Sequence, residues 1–130
     1  MSYKLTAADL VWNRAAMENG GVSPASGDAA LSSLLYAHGL VSNGGVLHAV
    51  EIMTSDEFSE AQEGYRFFDL DAVASLLSHA KYFFDLGERL SEHECRLNNE
   101  YLKLVPDDSL LSQHFELRFN TNPWEFAPIK

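Results

Sequence analysis

Apolar residues recur along this chain at three- and four-residue intervals, the spacing of one face of an α-helix. Thr6-x-x-Asp9 is a capping pair, and it predicts a first helix running to about Glu18 with Leu5, Ala8, Trp12 and Ala15 on one side. Asn19-Gly20-Gly21 stops it, because glycine accepts the left-handed conformation after a helix end. A second helix starts near Ser26 and carries Ala30, Leu31, Leu34, Leu35 and His38 inward. Asn43-Gly44-Gly45 ends it or turns the chain, and Val46 to Met53 reads as a short buried helix.

Thr54-x-x-Glu57 is a capping box for the next helix, whose apolar stripe is Phe58, Ala61, Tyr65 and Phe68. Asp69 or Asp71 is expected to cap the following one, where Val73, Leu76, Leu77, Ala80, Phe83 and Phe84 form a strong amphipathic pattern before Gly87. Ser91-x-x-Glu94 is a further capping box, and Leu90, Leu97, Tyr101 and Leu104 line that helix. Pro106-Asp107-Asp108 opens the last helix, and Asn120-Thr121-Asn122-Pro123 closes it. Phe115 to Phe119 alternates as a strand would, but Asp107 and Asp108 upstream favour a helix. Trp124 and Phe126 are expected to pack back on the body. The pattern predicts an all-α fold: one compact domain, residues 1–130, an irregular bundle of about six helices.

Composition narrows the class. The chain is 46% hydrophobic and 12% aromatic, enough apolar matter for a core. A lone cysteine, Cys95, excludes an intramolecular disulfide or a cysteine-rich zinc site and fits a reducing, cytoplasmic setting. No apolar run reaches the ~18 residues of a spanning helix.

Nineteen acidic against nine basic residues give a net charge of −10, which disfavours direct contact with nucleic acid or an anionic membrane. The excess is uneven. Residues 15–65 contain no lysine or arginine but hold Glu18, Asp28, Glu51, Asp56, Glu57, Glu60 and Glu63. Further along, many acids have helical partners: Asp85 with Arg89, Glu92 with Arg96, Glu100 with Lys103. Asp56, Glu60 and Glu63 fall at i, i+4 and i+7, so one helix side shows three carboxylates in steps of about 5–6 Å, with Glu57 beside them. An ordinary solvated face accounts for such a run, and the helix dipole favours Asp56 and Glu57 in the first turn. The functional reading is a docking surface for a basic partner, made by Asp56, Glu57, Glu60 and Glu63 with Glu51 and Asp28 as outlying members. The step between these carboxylates is similar in size to that between successive phosphates.

The remaining chemistry is sparse. His38, His48, His79, His93 and His114 lack the i, i+4 pairing of a metalloprotease helix. His93-Glu94-Cys95 places three ligand types in a row, but neighbours on a helix point about 100° apart, so no metal and no cofactor is expected. Ser78-x-x-Lys81 lacks the companion motifs of penicillin-recognising enzymes. An enzymatic role would need a pocket in which His38, His48 or His79 meets a carboxylate, and no catalytic residue is assigned. Asn43, Gly44 and Gly45 read as a structural turn.

The run Leu35-Tyr36-Ala37-His38-Gly39-Leu40-Val41-Ser42-Asn43-Gly44-Gly45-Val46, followed by Ala61-x-x-x-Tyr65-Arg66-x-Phe68 and a helix from Ala72 to Ala80, resembles a bacterial family of small acidic helical domains. The likeness covers roughly Leu34 to Phe84. Members commonly carry Phe after the two glycines and Asn at the end of the short helix, where this chain has Val46 and, approximately, Thr54. The resemblance implies an all-α fold with the turn as its signature. The family includes a DNA-mimic protein that occupies the DNA-binding face of a transcription factor, which points to a DNA-binding regulator as partner. The alternative is an immunity or antitoxin module that neutralises a basic nuclease. Trp12, Trp124 and Phe126 are candidates for an apolar patch through which a homodimer would form.

Overall fold

Local capping starts the molecule as its sequence suggests. In the computed structural model, which describes residues 4–129, the Thr6 hydroxyl accepts from the Asp9 amide at 3.1 Å and the Asp9 carboxylate accepts from the Thr6 amide at 3.0 Å. This reciprocal box opens α1 (Ala7–Glu18). Asn19 itself takes the left-handed conformation that ends it, at φ 54°. The inward face of α1 is rotated from the expected one: Val11 and Ala15 are buried, Trp12 is half-buried and Leu5 is exposed.

α2 (Ser26–Gly44) is the longest helix and packs against α1, α3 (Val46–Ile52) and α4 (Ser55–Phe67). α5 (Asp71–Leu86) lies on α3, α4 and α6 (Leu90–Leu104), and α7 (Asp108–Thr121) leads into a single 3-10 turn, Pro123–Glu125. There are seven α-helices among the described residues, where the pattern predicts about six, and no strand. The short α3 falls where the pattern places a short buried helix, Val46 to Met53. Gly45 at φ 95° breaks it from α2, and an extended Met53 breaks it from α4.

Two expected helix starts are not used. α5 begins without a side-chain cap, from Leu70, and Asp69 instead sits at φ 61° in the preceding turn. α6 begins from a left-handed Arg89 at φ 53°, two residues before the N-cap of the Ser91-x-x-Glu94 box.

The helices enclose one continuous core. Tyr65, Phe68, Phe115, Leu31, Leu34, Leu77, Leu97 and Leu111 are its largest fully buried side chains. Phe68, Phe115 and Phe126 form an aromatic centre, with Phe115 5.5 Å from Phe126 and 6.2 Å from Phe68 between ring centroids. Phe126 therefore packs back as expected, whereas Trp124 stands in solvent at 75% exposure. A bidentate pair holds the turn between them: Arg118 donates through Nε and Nη2 to the Glu125 carboxylate at 2.7 and 2.8 Å. α4 approaches α2 closely because Gly64 has no side chain, and a Cβ there would lie 2.5 Å from the Ala30 carbonyl oxygen. No helix is long and apolar enough to cross a membrane among the described residues.

Candidate functional site

α4 turns its apolar stripe inward, burying Ala61 and Tyr65, and this orientation sends its acids outward. Asp56, Glu60 and Glu63 are exposed, and among the described residues no ion pair reaches any of them. Glu57 is half-buried and partly committed, since its Oε1 accepts from the Thr54 amide at 2.9 Å in the capping box. Glu51 is exposed on α3. Beside the α4 face, Tyr36 at 43% exposure joins Ser32, Ser33, Asn19, Glu57 and Glu60 around a cleft of about 350 Å³.

Asp28 does not belong to this face. It is fully buried, and its carboxylate accepts three contacts, from α1, from the residue before α2 and from the C-terminal segment. Arg14 Nη2 lies 2.8 Å from Oδ1, while the amides of Ala25 and Ala127 donate to Oδ2 at 3.0 and 2.7 Å. Arg14 also donates to the carbonyls of Ala127 and Pro128, so the pair fastens the C-terminal strand of chain to α1 and α2. Asp28 is thereby an interior clamp and is withdrawn from the docking set: Arg14 stands one residue before the cation-free stretch and reaches back into it.

The expected ion pairs of the C-terminal half also differ. Asp85 pairs with Lys81 at 3.0 Å and Glu100 with Arg96 at 3.2 Å. Arg89 lies beyond Gly87 and off α5, which removes it from Asp85's helix face. Arg96 sits 5.1 Å over the Phe83 ring while it bonds Glu100.

A second feature was not assembled by local sequence motifs. At the carbonyl end of α2, a cavity of about 580 Å³ opens between that helix, the end of α6 and the start of α7. His38 lines it, with Nε2 2.7 Å from Asp108 Oδ1 and Nδ1 2.8 Å from the Tyr101 hydroxyl, which is in turn 2.7 Å from the Tyr65 hydroxyl. With the imidazole neutral, one assignment supplies every bond with a donor: Tyr65 donates to Tyr101, Tyr101 to Nδ1, and Nε2–H to Asp108. Burial pushes the Tyr65 phenol well above its ordinary range, and it raises Tyr101 as well. Both phenols therefore act as neutral hydrogen-bonding groups near neutral pH. His38 thus meets a carboxylate in a pocket, as the enzymatic reading required, and both its ring nitrogens are committed.

Asn43, Gly44 and Gly45 form the rim of this cavity as well as the turn. The Asn98 Oδ1 accepts from the Val46 amide at 2.8 Å, and a Cβ on Gly45 would lie 3.0 Å from that same side-chain amide. The other histidines are dispersed. His114 bonds the Phe68 carbonyl at 2.7 Å, His93 stacks on Phe83, and His79 is exposed. Among the described residues no group of histidine, cysteine and acidic side chains is arranged to hold a metal ion. Compared with known proteins, the chain matches no family model, no curated protein and no solved structure.

Proposed function

We propose that this chain is an acidic interaction domain whose α4 face docks a basic protein, foremost a DNA-binding regulator blocked at its DNA site. The observation that carries the reading is the outward row of Asp56, Glu60 and Glu63, which no cation among the described residues neutralises. Arg14, the nearest cation before the stretch, is spent on Asp28. Such a row steers a positive partner and makes its binding salt-sensitive. The neighbouring cleft suits an inserted lysine or arginine, because the Tyr36 ring and the Glu57 and Glu60 carboxylates line one hollow.

The test is affinity capture from native lysate with the natural chain and with Asp56→Lys/Glu60→Lys/Glu63→Lys, at about 0.05 M and about 0.5 M salt. The natural chain is expected to retain basic proteins at low salt only, to release them to duplex DNA, and to lose them on triple reversal. Identical capture by the two proteins overturns the reading. Capture of a basic nuclease that the chain inhibits would move the assignment to an immunity-type protein using the same carboxylates.

A further inference from the structure

We propose that the cavity at the carbonyl end of α2 binds a small organic cation of the linear diamine class. Its volume, about 580 Å³, suits a small ligand, and no lysine or arginine lines it. The carboxylates around it are Asp107 and Asp108, and backbone carbonyls add further acceptors. The Gly45 amide donates to Val41, and the Val46 amide is drawn away to Asn98, so the Ser42 and Asn43 carbonyls receive no backbone donor among the described residues. These carbonyls are the negative end of a nineteen-residue helix.

Two carboxylates face the same space and are held in position. Asp108 gives one oxygen to His38 and leaves the other to solvent, its side chain being 82% exposed. Asp107 accepts from the Ser109 hydroxyl and amide at 2.5 and 3.0 Å, and that hydroxyl holds its carboxyl below the ordinary range. His38 and Tyr101 offer no free donor, because each is engaged in the chain that ends in Tyr65. An anion would thus meet carboxylates and carbonyls with no cation to receive it. A protonated amine brings both donors and a positive charge to those carboxylates and carbonyls. Leu102 and Val105 give the wall an apolar part for the methylenes between two amines. The arrangement is made by α2, α6 and α7 and is separate from the α4 acids.

Titration of the full-length, isotope-labelled chain with putrescine, followed by amide chemical shifts, tests the proposal. Saturable shifts are expected to centre on Ser42, Asn43, Gly44 and Asn98. Asp107→Asn/Asp108→Asn keeps an N-cap and an acceptor for His38, and it should weaken binding about tenfold. Succinate, an anion of similar length, should cause no shifts there. Charge neutralisation on α4 by Glu60→Gln/Glu63→Gln should leave the diamine affinity in place. Shifts spread evenly over all acidic residues, unchanged binding after the double substitution at the cavity, or equal binding of succinate would each overturn the site. Tighter binding of N-acetyl-lysine amide than of putrescine would also overturn it, assigning the cavity to a lysine of a partner protein.

Discussion

Asp28 and Glu60 lie in the same cation-free stretch, yet the fold treats them in opposite ways. Asp28 is buried beneath Arg14 with every oxygen engaged, while Glu60 stands exposed between Asp56 and Glu63 with no cation paired to it among the described residues. The contrast shows that net charge along a sequence does not fix the field at the surface. One arginine outside the stretch removes one acid from it, and what remains is concentrated on α4. Losing Asp28 should therefore be the most damaging single change to an acid in this chain. Asp28→Ala strands the Arg14 guanidinium and the amides of Ala25 and Ala127, a loss expected at about 3–5 kcal/mol for a broken buried pair. Urea unfolding measures it. A cost below about 1 kcal/mol, in the range of an exposed pair, would erase the distinction between the two acids.

The α4 acids depend on how their helix is seated, and Gly64 decides that. A methyl group at Gly64 meets the backbone oxygen of Ala30, which cannot turn aside as a flexible side chain would. Gly64→Ala is expected to cost about 1–3 kcal/mol through overpacking. It should also displace α4 from α2 and disturb the Tyr36 cleft. Denaturation together with amide shifts for Ala30 to Leu34 checks this. Unchanged stability and spectra would mean that α4 tolerates a wider separation and that its acids are held less firmly than Asp28.

How much of this was legible in the sequence follows the range of the interactions. The Thr6–Asp9 and Thr54–Glu57 boxes could be read because both partners lie within one turn. The starts of α5 and α6 could not, because Asp69 and Arg89 take left-handed backbones that their side chains do not advertise. The outward face of α4 followed from its apolar stripe. The burial of Asp28 did not, since its partners include a backbone amide 99 residues away. His38 was legible on the inward face of α2, but Tyr101 and Asp108 lie 63 and 70 residues beyond it and share no motif with it. A faint signal was present in the Asn43-Gly44-Gly45 turn, which serves both as the helix stop and as the cavity rim.

The smallest expected effect gives the finest comparison. Glu60 is the i+4 neighbour of Asp56 and the i+3 neighbour of Glu57, and it lies three residues before Glu63, so Glu60→Gln removes three like-charge contacts at once. It leaves Asp56 and Glu57 in the first turn of α4, where the helix dipole favours them. The fold should gain about 0.5 kcal/mol at low salt, a few tenths for each relieved pair. At about 0.5 M salt the gain should vanish, because solvent ions screen exposed charges over such distances. Asp28→Ala should behave differently: its loss arises from unpaired buried groups and should persist at both salt concentrations. Urea midpoints for the two variants at low and high salt separate the cases. If Glu60→Gln destabilises the chain, Glu60 has a stabilising partner in the folded protein and the α4 row is no longer a surface left for another molecule.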